Sequence, residues 1–164
     1  MAVTAWSALW YLPFVVPICI WVAWNDMKFM KIPNYAVYSL VAIFIVIGFV
    51  ALPLPELPFR LLQLFVVLVI GFALNMIRAI GAGDAKFAAA MAPFFALGDI
   101  RFILYLFAGV LVSAVVTHRI SKRIPAMRDL TPDWESWSTK KFPMGLALGP
   151  TLGFYLLAGT FFGA

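Results

Sequence analysis

Long apolar runs alternate with short polar interruptions along this chain, on a scale much longer than a helix turn or a strand repeat. A hydrocarbon core about 30 Å thick takes roughly 20 helical residues to cross, and the runs have about that length. Ala5 to Trp24 carries no charge and forms a first span, with Pro13 and Pro17 placed to bend it. Tyr35 to Leu52 forms a second, closed by the "PLPELP" turn, and Leu61 to Ile77 a third. Phe102 to Thr117 and Phe142 to Ala164 supply two more. Between the third span and Phe102 the pattern allows two solutions. Phe87 to Gly98 is uncharged but only 12 residues long, about 18 Å of helix. Either it forms a re-entrant hairpin with Phe102 to Thr117, or a fourth helix begins earlier, near Ala79, and brings Asp84 to the membrane boundary. The second solution gives six spans. The opening "MAVTAW" lacks the basic n-region of a cleavable signal peptide, so the first run reads as a retained span.

Composition agrees with this pattern. Of 164 residues, 65% are hydrophobic and 12% charged, whereas a soluble domain is about half apolar and a quarter charged. The expectation is an all-α integral membrane protein forming one domain over residues 1–164, with 118–141 as its only sizeable polar loop. The net charge of +5 lies in the interruptions between spans, as membrane loops do, and no nucleic-acid motif accompanies it. With six spans, one side holds Lys28, Lys31, Arg78, Lys86, Arg119, Lys122, Arg123, Arg128, Lys140 and Lys141, the other only Arg60 and Arg101. Ten cations against two predicts a cytoplasmic 118–141 loop and both termini outside the cytoplasm. Five spans would place that loop opposite Lys28 and Lys31 and spoil the asymmetry. Trp134 and Trp137 in the loop are expected as interfacial anchors.

Chemistry is sought among the few polar residues. Cys19 is the only cysteine and His118 the only histidine, so neither a disulfide nor a zinc site is expected; no cofactor is expected, and Cys19 reads as a packing residue. Glu56 and Asp99 fall in short turns at the terminal side, where a solvated carboxylate needs no further role. Asp129, Asp133 and Glu135 sit in the loop among basic residues. Asp26 and Asp84 remain: 58 positions apart in sequence, they fall at one membrane face. An ionisable residue at the membrane boundary is a functional candidate. Two carboxylates brought close cannot both ionise at neutral pH, so one can take a proton from water while the other donates to a scissile carbonyl. Helix-end carboxylates with no role, or ion pairs of Asp84 with Arg78 or Lys86, are the plainer alternatives. "GAGDAK" lacks the Gly-Lys-Ser/Thr ending of a phosphate-binding loop.

Two motifs together resemble the type IV prepilin peptidase family, the bacterial branch of the membrane GxGD aspartic proteases. "GAGDAK" is similar to its Gly-x-Gly-Asp-x-Lys motif at Gly81, Gly83, Asp84 and Lys86, and "DMKFMKIPN" to its Asp-x5-Ile-Pro-Asn motif at Asp26, Ile32, Pro33 and Asn34. The resemblance implies that Asp26 and Asp84 are the catalytic pair. It also implies cleavage of a short basic leader from prepilins or pseudopilins at the cytoplasmic face of the bacterial inner membrane. Longer members also methylate the new N-terminus and carry a loop with paired cysteines; this chain has no cysteine pair, so peptidase activity alone is expected. Its small size resembles the branch serving Flp pili of tight-adherence (Tad) systems. Asp129, Asp133 and Glu135 are the candidate contacts for the basic leader, and membrane lipids the other expected partners. Competing readings are a proton- or cation-coupled transporter, whose sites sit nearer the midplane, and a non-catalytic subunit of a pilus or secretion machine.

Overall fold

A computed structural model describes residues 1–164 and contains helices but no strand. Five helices are long and apolar enough to cross a bilayer: α1 (Ala5–Phe29), α2 (Asn34–Ala51), α3 (Glu56–Met76), α5 (Ile100–Arg123) and α7 (Gly145–Phe162). Between α3 and α5 lies α4 (Ala82–Met91), only ten residues long, followed by a 3-10 turn at Ala92–Phe94, extended backbone at Phe95 and Ala96, and a second 3-10 turn at Leu97–Asp99. The short α6 (Pro125–Leu130) follows α5.

The irregular 82–99 segment resolves the two solutions left by the sequence. Asp99 accepts hydrogen bonds from the backbone N–H groups of Ala2 (2.7 Å) and Val3 (3.1 Å), and the Met1 ammonium reaches the Phe162 carbonyl at 3.0 Å. Asp99 therefore lies at the end of the bundle that holds both termini, while Asp84 lies at the opposite end. The segment crosses; it does not return as a hairpin. The bundle makes six passes, the fourth part helix and part irregular.

Irregular backbone is tolerated at membrane depth only where its polar groups find protein partners, and those partners correct two sequence-based expectations. Arg60, counted above as a loop cation, is 8% exposed; it donates to the Phe95 carbonyl and pairs with Glu56 at 3.3 Å. The Gln63 side chain faces the carbonyls of Ala92 and Phe95, and with its amide turned so that the nitrogen points at them it donates to both, at 3.0 Å and 3.2 Å. The Tyr155 hydroxyl accepts from the Ala96 N–H at 3.0 Å and donates to Asp99 at 2.9 Å. Asp99 is thus no solvated turn residue. It is buried and ties the broken crossing to the N-terminus and to α7.

Packing follows from side-chain size. The core gathers Tyr11, Phe44 and Phe94 between α1, α2 and the fourth pass, with Tyr11 and Phe44 each edge-on to Phe94. The tightest pair is α1 with α7, and small residues permit it. A Cβ on Gly149 would stand 2.6 Å from the Cys19 carbonyl oxygen, and one on Gly159 3.0 Å from the Ala8 Cβ. Cys19 is buried in that seam. The predicted 118–141 loop is shorter than expected, because α5 continues to Arg123 and α6 takes six more residues. Its indoles are stacked rather than simply placed at the interface: Trp134 stacks on Trp137, and Trp137 on His118.

Candidate active site

Asp26 sits on the last turn of α1. The helix ends at Met30, which takes the left-handed conformation (φ 51°) while its N–H bonds the Asp26 carbonyl at 2.9 Å, a common way to finish a helix. Asn25 Nδ2 donates to the Lys31 carbonyl at 2.6 Å and holds the reversal. Pro33 then caps α2, which begins at Asn34; a ring that fixes φ and needs no N–H partner suits that place. The five-residue gap between Asp26 and Ile32 is the length of a helix end plus a tight turn.

Asp84 is placed by the start of α4. Gly81 caps the helix in an extended conformation, Ala82 and Gly83 are its first two residues, and Asp84 is the third. A carboxylate at the third position reaches back toward the capping residue's N–H, and Asp84 faces the Gly81 N–H in this way. Its Oδ2 stands 2.6 Å from where a Cβ on Gly81 would be. The carboxylate itself is what requires glycine at 81. Gly83 makes a looser fit, its notional Cβ 3.5 Å from the Cβ of Ile32. The two motifs therefore touch through Gly83 and Ile32, and Lys86 Nζ adds a 3.4 Å bond to Asn34 Oδ1. The approach to the motif is held by Asn75, whose Nδ2 donates to the Ile80 carbonyl at 2.9 Å, and turns at Arg78 with φ 59°.

Asp26 and Asp84 both line a single cavity of about 830 Å³ at the end of the bundle away from the termini. Asp26 is 4% exposed and accepts a 2.7 Å hydrogen bond from the N–H of Gly145, the first residue of α7. A Cβ on Gly145 would come within 2.9 Å of the Asp26 Cβ. Neither carboxylate has a cationic partner, for the only ion pair in the structure is Arg60 with Glu56. Lys86 lines the cavity but bonds Asn34, not Asp84.

Asp129 lies on α6, Asp133 in the turn after it, and Glu135 opens a 3-10 turn; all three are exposed and none lines the cavity. Gly145, Asn25 and Asn75 were not singled out by the sequence reading. Gly145 had a signal in "GLALGPTLG", where Gly145, Gly149 and Gly153 recur every four residues and so share one helix face. The two asparagines had none, since each acts on the carbonyl of a turn whose shape the sequence does not announce. Nowhere do three or more His, Cys, Asp or Glu side chains gather as a metal would need.

A sequence model described as the type IV leader peptidase family matches residues 3–117. No curated protein and no solved structure matches the chain. The matched segment contains Asp26, Asp84 and both motifs around them, and ends before the helix that supplies Gly145.

Proposed function

The chain belongs to the type IV leader peptidase family, and on that premise we propose that it is an aspartic endopeptidase whose reacting pair is Asp26 and Asp84. Its substrates are the leaders of Flp-like prepilins, cut at the cytoplasmic face of the bacterial inner membrane. One observation carries the proposal: two carboxylates 58 positions apart line the same cavity, each delivered there by a helix end and each facing a backbone N–H.

In the mechanism that such a pair supports, the two carboxylates hold one proton between them. A water molecule attacks the scissile carbonyl carbon and gives its proton to the ionised carboxylate; the neutral one protonates the carbonyl oxygen. The resulting gem-diol then collapses: the newly protonated carboxylate gives its proton to the amide nitrogen, the other takes a proton from a gem-diol hydroxyl, the C–N bond breaks and the amine leaves. The pair again holds one proton, and no metal or covalent intermediate is required. The Gly145 N–H fixes the orientation of Asp26, and Gly81 leaves room for that of Asp84. Both belong to helix termini, which are stiffer supports than a free loop. Methylation of the new N-terminus is not part of the proposed activity.

The test is incubation of the purified protein with a prepilin, read by mass spectrometry as loss of the leader. Asp26→Asn and Asp84→Asn should each abolish the product, and the double variant should be no worse, because members of one catalytic unit are not additive. Robust processing by either single variant would overturn the assignment.

A further inference from the structure

The cavity that holds Asp26 and Asp84 is also lined by Lys31, Arg78, Lys86 and Lys141. Four cations face two carboxylates, and none of the six is in an ion pair, since Arg60 with Glu56 is the only one present. The general excess of cations at this end of the bundle accounts for their sign but not for four of them facing the same cavity. A rounded space of about 830 Å³ is roughly 12 Å across, so a guest at its centre lies about 6 Å from the wall, within one Debye length at physiological salt, about 8 Å. Charges around it are therefore only partly screened from one another or from a guest. Even with both carboxylates ionised the lining keeps an excess of two positive charges, and a shared proton on the pair raises that to three.

Such a lining disfavours a lysine or arginine beside the bond to be cut and favours a carboxylate there. We propose that the cavity is a subsite for an acidic substrate segment, in which Asp or Glu side chains flanking the scissile bond pair with Lys31, Arg78 and Lys141. This rests on the peptidase reading above and adds to it the charge of the segment that enters. Basic leader residues then lie outside the cavity, toward the exposed acids Asp129, Asp133 and Glu135, while the substrate's scissile bond, presented to Asp26 and Asp84, is flanked by acids. Lys86, already bonded to Asn34, is the least free of the four to take part.

The experiment uses the full-length protein in zwitterionic detergent–lipid micelles. Three synthetic peptides share one basic leader, a glycine before the cut and an apolar helix after it. They differ only in carrying two Glu, two Gln or two Lys within three residues of the scissile bond. Exposed ion pairs are individually weak, so two of them together should make kcat/KM for the Glu peptide about tenfold higher than for the Gln peptide. The Lys peptide should fall below both, and the Glu advantage should shrink as salt rises. Lys31→Gln/Arg78→Gln/Lys141→Gln should remove the advantage, so that the Glu and Gln peptides are cut by that variant at equal rates; Arg78→Lys should keep it. Equal rates for the Glu and Gln peptides would overturn the acidic subsite and leave the peptidase reading intact. If no peptide is cut, both fail together. Repeating the assay with anionic lipid separates the other source of negative charge. Rates that follow lipid charge and ignore peptide charge would assign the cations to headgroup phosphates and overturn the proposal.

Discussion

At Gly81 and Gly83 two residues of one motif have different physical reasons for being glycine. A methyl group at 81 would collide with the Asp84 carboxylate, 2.6 Å away, whereas one at 83 would meet Ile32 at 3.5 Å, an ordinary contact. Because the atom displaced by Gly81→Ala is the end of a side chain, the fold should survive and the carboxylate should move. A displacement of about 1 Å in a reacting group costs up to about 10²-fold in rate. Gly81→Ala is expected to lose leader cleavage on that scale with unchanged helicity, while Gly83→Ala stays within a few-fold of the parent. Steady-state cleavage rates and circular dichroism on the two variants check this. A larger loss at Gly83 than at Gly81 would mean that the substrate backbone, not the Asp84 side chain, needs the space. At this scale the sequence was informative: Asp26, Asp84, Ile32, Pro33, Asn34, Gly81, Gly83 and Lys86 were all legible as motif positions. The hydrogen bond from Gly145 was not, because it joins residues 119 positions apart and a backbone N–H leaves no mark on residue identity.

The fourth pass shows what an element built from too few helical residues requires. α4 and its continuation leave the Phe95 carbonyl and the Ala96 N–H without backbone partners, and Arg60 and Tyr155 supply them, while the Gln63 amide, once turned, adds a second donor to the Phe95 and Ala92 carbonyls. Asp99 closes the set by accepting from Ala2, Val3 and Tyr155. The sequence could show that 87–98 was too short for a full span, but not which distant side chains would serve it. Arg60 and Asp99 accordingly read as loop residues. Removing the Asp99 acceptor strands buried donors, at about 1–3 kcal/mol for each unsatisfied group. Asp99→Ala should therefore lower the thermal unfolding midpoint by several degrees, while leader cleavage by the folded fraction stays near normal. A variant as stable as the parent would contradict the network. The 118–141 segment carries a separate expectation. Neutralising Asp129, Asp133 and Glu135 together should raise KM for a basic-leader substrate and leave kcat largely intact, because such contacts hold ground and transition states alike. Since the three side chains are exposed, the effect should fade with salt; an unchanged KM at low ionic strength would place leader recognition elsewhere.

Over the whole molecule, the six passes divide the charges more sharply than the sequence count did. Of the two cations assigned to the terminal end, Arg60 is buried and paired with Glu56, leaving Arg101 as the only exposed one there. The opposite end keeps all ten of the others, four of them around the cavity. Positive charge in short loops favours the cytoplasmic side, so this distribution predicts that the cavity end faces the cytoplasm, and Arg60, buried and neutralised by its partner, does little to counter it. The orientation matters for function, because a basic leader made on the ribosome side meets Asp26 and Asp84 only if their end of the bundle faces the cytoplasm. The prediction is a cytoplasmic segment near Asp133 and a C-terminus outside the cytoplasm after Ala164. Paired reporter fusions at those two positions, one enzyme active only outside the cytoplasm and one fluorescent only inside, read both ends independently. Opposite signals in the stated sense support the orientation. The same signal from both positions would contradict the six-pass count, and a reversed pair would put the cavity on the side from which newly made leaders are absent, removing the route by which substrate reaches it.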